Sequence, residues 1–125
     1  MKIQILPLVT GAQKATGLTV IIDVFRAFSL EAYMYASGAK KVIPVKTVED
    51  ALALKKENPS FILVGERKGI KVEGFDYGNS PSEFVGVDLS GKTLIHTTSA
   101  GVLGLASAVN ASQIVTGALV NAKAT

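Results

Sequence analysis

Leu18-Thr19-Val20-Ile21-Ile22 is an almost unbroken run of apolar and β-branched residues that ends on Asp23, with Arg26 three positions further on. β-Branched side chains pack well on a pleated surface, and a run without polar alternation predicts a strand buried on both faces. Phe28 to Ser37 then fits a helix closed by Gly38. The alternation repeats. Lys41 to Val45 reads as a strand, and Pro44, which lacks an N–H for a ladder, places it at a sheet edge. Thr47-Val48-Glu49-Asp50 resembles a capping box, with Asp50 in place of Glu, and opens a helix to about Glu57 that Asn58-Pro59 stops. Phe61 to Val64, Lys92 to His96 and Gln113 to Thr116 are further strands. Ala100 to Asn110 is a small-residue helix, and Ala118 to Ala124 begins another. Upstream, Ile3 to Val9 reads as a first strand and Gly11 to Gly17 as a turn or loop.

Strands alternating with helices predict an α/β fold, a three-layer α/β/α arrangement around a parallel-rich mixed sheet. Residues 1–125 form a single α/β domain in this reading. The stop just after a strand, at the opening of a helix, suggests an incomplete half of a larger fold.

Composition narrows the function classes. Hydrophobic residues make up 48% and charged residues 18%, with a mean hydropathy of +0.37, which is far from a disordered chain. No stretch approaches the roughly 18 consecutive apolar residues of a membrane span. The start, Met1-Lys2-Ile3-Gln4-Ile5-Leu6-Pro7, is too short for a signal peptide, so the expected location is cytoplasmic. Without cysteine, thiol chemistry and disulfides are excluded. The net charge of +3 comes from 13 basic and 10 acidic residues, with the lysines scattered. No basic stripe interleaved with aromatics points to nucleic acid. Oligomeric state, including a homo-oligomer, stays open.

Polar chemistry concentrates elsewhere. Val64 to Phe84 reads V-G-E-R-K-G-I-K-V-E-G-F-D-Y-G-N-S-P-S-E-F, a long loop with four glycines that also carries Glu66, Arg67, Glu73, Asp76, Asn79 and Ser80. Loops of this length in small domains are functional or disordered, and the interleaved Ile70, Val72, Phe75 and Phe84 argue for order. In open α/β sheets, ligands gather beyond the carboxyl ends of strands. Three polar clusters lie at such ends: Asp23 with Arg26, Glu66 with Arg67, and Thr97-Thr98-Ser99-Ala100-Gly101 at a helix start. Hydroxyls and free N–H groups at a helix start form an anion site, and carboxylates hold a hard divalent cation. The combination points to a phosphorylated substrate bound with Mg²⁺. Plainer explanations exist for each: Asp23 as a cap or partner of Arg26, Glu66 and Arg67 as a solvated pair, Thr97 to Gly101 as helix capping, and Asp76 to Pro81 as a turn plus a cap by Ser80. His96 reads as core or surface filler, and Tyr33, Met34 and Tyr35 as helix packing.

Taken together, I-D-V-F-R-A at Ile22 to Ala27, V-G-E-R at Val64 to Arg67, and E-G-F-D-Y-G-N-S-P-S-E-F at Glu73 to Phe84 resemble the 2-phosphosulfolactate phosphatase family. Gly-Ala-Lys-Lys-Val-Ile-Pro-Val at Gly38 to Val45 agrees as well. The resemblance covers nearly all of this chain but only about the first half of a typical member. It implies Mg²⁺-dependent hydrolysis of 2-phosphosulfolactate to sulfolactate and phosphate, a step associated with coenzyme M biosynthesis, and hence a small phosphorylated, sulfonated acid as substrate. It also implicates Asp23, Arg26 and Glu66 in catalysis. Substrate binding would fall to Arg67, Asn79, Ser80, Thr97, Thr98, Ser99 and Gly101, and metal binding to Asp23, Glu66 and Asp76. Members commonly read T-T-T-N-G-T where this chain has Thr97-Thr98-Ser99-Ala100-Gly101-Val102. Hydroxyls usual after Arg26 are thinned here, where Phe28 precedes Ser29. A haloacid-dehalogenase-type phosphatase is the competing enzyme class, but it requires an acid two residues after the aspartate, and position 25 is Phe. The contrasting class is a noncatalytic anion-binding or assembly domain derived from the family.

Overall fold

The computed structural model describes all 125 residues, Met1–Thr125. The elements run α1 (Leu8–Ala12), β1 (Gly17–Ile22), α2 (Ala27–Ala36), β2 (Lys41–Pro44), α3 (Val48–Glu57), β3 (Ile62–Arg67), β4 (Ile70–Lys71), β5 (Thr93–Thr97), α4 (Gly101–Ser107) and β6 (Ala111–Gly117). Short 3₁₀ turns cover Pro81–Phe84 and Leu119–Asn121. The fold is α/β, and its strands form two sheets. One is four-stranded in the order β2-β5-β3-β4, the other the pair β1-β6. Only β4 runs antiparallel, returning along Glu66 and Arg67; the other pairings are parallel. Pro44 does sit on an edge strand, β2.

The four-stranded sheet is covered on both sides. Leu30 and Met34 of α2 pack on Val42, Val64 and Leu94 with Phe84 and Leu89. On the opposite face, Ala51 of α3 meets Leu63, Ile95 and Phe75. A third cluster, Ala27, Phe28, Val102 and Ala118 with Ile21, ties α2 and α4 to one face of the β1-β6 pair. Helix boundaries follow local chemistry. Thr47 Oγ1 accepts from the Asp50 N–H at 3.0 Å, acids occupy the first turn of α3, and Lys55 and Lys56 its last, which complements the helix dipole. Gly38, at φ 97°, lets the chain leave α2 in a conformation other residues avoid.

Several expectations change. Ile3 to Val9 forms no strand: Ile3 and Ile5 are exposed with no neighbouring strand to pair with, and Leu8 and Val9 open α1. The run Leu18 to Ile22 is a strand, but it is half-buried on one face and exposed on the other. Ser80 makes no side-chain cap on the Pro81–Phe84 turn. Its hydroxyl lies 2.9 Å from that of Ser82. Glu83 accepts from the Gly78 N–H at 3.1 Å. The helix expected over Ala100–Asn110 is confined to Gly101–Ser107.

Candidate active site

The carboxyl ends of β1, β3 and β5 converge, and the residues there bond directly to one another. Glu66, buried near the end of β3, accepts from the Ser99 N–H and the Gly69 N–H, each at 2.7 Å, and from the Ser99 hydroxyl at 3.1 Å. Lys68 N–H in turn donates to Ser99 Oγ at 3.2 Å. The tight β3–β4 return makes this possible, since it brings Gly69 back over Glu66. Arg67, the next residue, points the other way along the pleat. Its guanidinium donates to the carbonyls of Glu66 (2.7 Å) and Lys46 (3.2 Å) and to Thr97 Oγ1 (2.8 Å). Arg67 therefore clamps the end of β3 to β5 and to the start of the α3 segment. The lysine carbonyl was invisible to sequence reading, because any residue supplies one.

Asp23 reaches the same turn from β1. A methyl group added to Gly101 would overlap Asp23 Oδ2 and stand 2.8 Å from Ala27 Cβ. Glycine is thus required where the Asp23 loop meets the start of α4. Thr98 Oγ1 accepts from the Val102 N–H at 3.1 Å and is buried, so it caps α4 as the plainer explanation had it. Ser99 and Ala100 alone of this segment are exposed.

The two carboxylates titrate in opposite directions. Burial pushes Asp23 above the ordinary carboxylate value, against the main-chain N–H groups of Ala27, Gly101 and Phe25 that favour its charged form; the nearby Glu66 charge adds to the rise. Burial also acts on Glu66, but the bonds from Ser99 and Gly69 and the Arg67 charge outweigh it and hold Glu66 below its usual value. Paired acids split in this way suit a proton-handling group beside a permanently ionised one.

The remaining expected residues divide. Asp76 accepts from the Leu63 N–H at 2.8 Å, and Tyr77 bridges Val64 in parallel. Leu63 lies three residues before Glu66 on an extended strand, about 10 Å away at the strand rise, so Asp76 secures the early part of β3 and does not join Asp23 and Glu66 as a ligand. Consistent with that, no three His, Asp or Glu side chains form a metal-holding group. Mg²⁺ is commonly held by one or two carboxylates with phosphate oxygens and water. Asp23 and Glu66 fit that requirement as a pair; the expected trio does not form.

Arg26 lines a cavity of about 390 Å³ together with Val24, Phe25, Ser29, Tyr33 and Pro81, and none of the bonds that tie down Arg67 reaches it. Neither Asn79 nor Ser80 lines this cavity; Asn79 is buried with its Oδ1 unpaired. His96, in register with Pro44 and Val64, is fully buried with both ring nitrogens unpaired, and burial lowers its pKa to about 4. Of the two expected places, core or surface, it takes the core.

Against known proteins, a model of the family described as 2-phosphosulpholactate phosphatase matches residues 5–125. The chain belongs to the 2-phosphosulpholactate phosphatase family. Similar curated relatives carry the name probable 2-phosphosulfolactate phosphatase. That of Bacillus subtilis is 39% identical over 108 residues, covering 86% of this chain and 47% of the relative. That of Carboxydothermus hydrogenoformans is 47% identical over 105 residues, covering 84% and 43%. The Clostridium tetani protein is 45% identical over 106 residues, covering 84% and 46%. The chain thus spans somewhat under half the length of these family members. No helix is long and apolar enough to cross a membrane.

Proposed function

We propose that this chain carries the phosphate-ester site of a Mg²⁺-dependent phosphatase acting on a small anionic ester, of which 2-phosphosulfolactate is the expected example. The observation that supports it best is the meeting of Asp23, Glu66 and the Ser99–Gly101 turn at the ends of three strands. Phosphoryl transfer asks mainly for positioning and for neutralisation of oxygen charge. Arg26, free of internal acceptors, and the exposed Ser99 answer the second demand. Asp23, raised by burial, takes the proton of the attacking water at a carboxylate oxygen. The water oxygen bonds to phosphorus, the P–O ester bond breaks, and the ester oxygen leaves as the product hydroxyl by taking the proton that Asp23 received, which returns Asp23 to its carboxylate form. Glu66, held ionised, keeps the Ser99 turn in place. Mg²⁺, held by Asp23 and Glu66, would supply further charge neutralisation at the phosphoryl oxygens.

Phosphate release from phospholactate-type esters, with and without Mg²⁺, tests this for the 125-residue chain and for the chain joined to the portion of a relative that it does not match. Release from either form supports the proposal, and release from neither removes it. Asp23→Asn should cost at least about 10²-fold in kcat, with a melting temperature equal to or above the parent's, because a carboxylate that burial disfavours is replaced by a neutral acceptor. An acyl-phosphate trapped on Asp23 would replace water attack by direct attack.

A second reading, a noncatalytic anion-binding or assembly domain, is favoured by one observation: three of the five N–H donors of Arg67 are engaged inside the chain. Calorimetry with phosphate that shows binding without turnover would select it.

A further inference from the structure

The β1-β6 pair is parallel, and parallel strands are ordinarily covered on both faces. Here one face is packed and the other is bare. Ile21 faces inward against Ala27, Phe28 and Val102. The alternate residues Leu18, Val20 and Ile22 are 67%, 44% and 71% exposed. Phe25, at 91%, and Leu119, at 76%, extend the apolar surface beyond the strand ends. A cavity of about 340 Å³ opens on this face, lined by Val20, Ile22, Val24, Ala118, Leu119 and Ala122. Gly17 to Ile22 contains no charged residue, and Arg26 borders the face only at the Phe25 and Leu119 end, so the strand surface itself is apolar. Contiguous apolar surface of this kind marks a surface that something covers.

We propose that this face is the docking surface for the polypeptide that makes up the other part of the family members' length. Matching relatives retain more than half of their residues outside the segment this chain resembles. In those proteins that length is tethered to the matching segment, at a high effective concentration. A bare β1-β6 face, left by an otherwise packed α/β unit, is the complement such length needs. The proposal stands independently of catalysis, since it concerns packing alone.

The absence of cysteine allows a direct test. Ile22→Cys places a single thiol on the face, and Leu52→Cys, 48% exposed on α3, serves as the control. Maleimide labelling is measured on the 125-residue chain alone, on the chain co-expressed with the unmatched portion of the Bacillus subtilis relative, and on the two joined by a flexible linker. The expected result is labelling at position 22 slowed at least about tenfold by the added portion, with position 52 unchanged and a 1:1 mass by light scattering. Val20→Lys with Ile22→Lys should abolish the 1:1 species while leaving the melting temperature of the chain alone intact, because both side chains are exposed. Equal labelling at position 22 in the joined protein overturns the proposal. So does slow labelling of the chain alone at the mass of a dimer, which would assign the face to a second copy.

Discussion

Arg26 and Arg67 carry the same charge and stand in opposite situations. Arg67 satisfies two carbonyls and Thr97 Oγ1, the Lys46 carbonyl at an exposed position and the other two part-buried, so Arg67→Ala should cost roughly 1 kcal/mol in urea unfolding. Arg26 has no such partners; Arg26→Ala should stay within about 0.5 kcal/mol of the parent while phosphate binding, followed by calorimetry, weakens at least about tenfold. His96 gives a pH signature. Its imidazole is neutral when folded, with a pKa of about 4 against 6.5 in the unfolded chain. The unfolded state therefore binds the proton first, and stability falls as pH drops from 6.5 toward 4, by about 3 kcal/mol in all. Asp23 and Glu31, both raised by burial, titrate with the opposite sign in the acid range, so the comparison is with His96→Leu: the parent-minus-variant difference should carry the slope, and parallel curves would refute it. In sequence, both arginines followed apolar strands equally well; what separates them is where the Lys46 carbonyl lies.

Among the elements, the short α4 depends on its first residue. Gly101 leaves room for Asp23 Oδ2 and Ala27 Cβ. Gly101→Ala must push the Asp23 loop away, at a cost of about 1–3 kcal/mol from overpacking. Turnover should fall further than stability suggests, by at least about tenfold, since catalytic groups tolerate little displacement; retention of full activity would remove Asp23 from the site. The β3–β4 return works in the same way, because its two-residue ladder brings the Gly69 N–H to Glu66. Sequence periodicity found the strands and helices that carry long apolar patterns, with α2 and α3 within a residue or so. It missed the dimension of pairing. Ile3 to Val9 has the composition of a strand and no strand beside it.

For the whole molecule, two sheets meet through α2 and α4, and the site lies where both contribute strand ends. Metal should act on activity and not on the fold. With two carboxylates in place of three, divalent-ion removal by EDTA should abolish any Mg²⁺-dependent phosphate release yet shift the melting temperature by less than roughly 2 °C. A larger shift would mean that a tight metal site exists within this chain.

The α/β class, the strand-end location of the polar clusters and the family were all legible in residue order, because apolar periodicity and a long run such as G-F-D-Y-G-N-S-P are local properties of the chain. Which acids share a site was not. Asp23 and Glu66 lie 43 residues apart in sequence and meet only through Ser99 and Gly101, whereas Asp76, ten positions from Glu66, is turned to Leu63 by the path of the loop. Separation along the chain carries no information on direction in space, and hydrogen bonds to main-chain groups, open to every residue type, decided both cases.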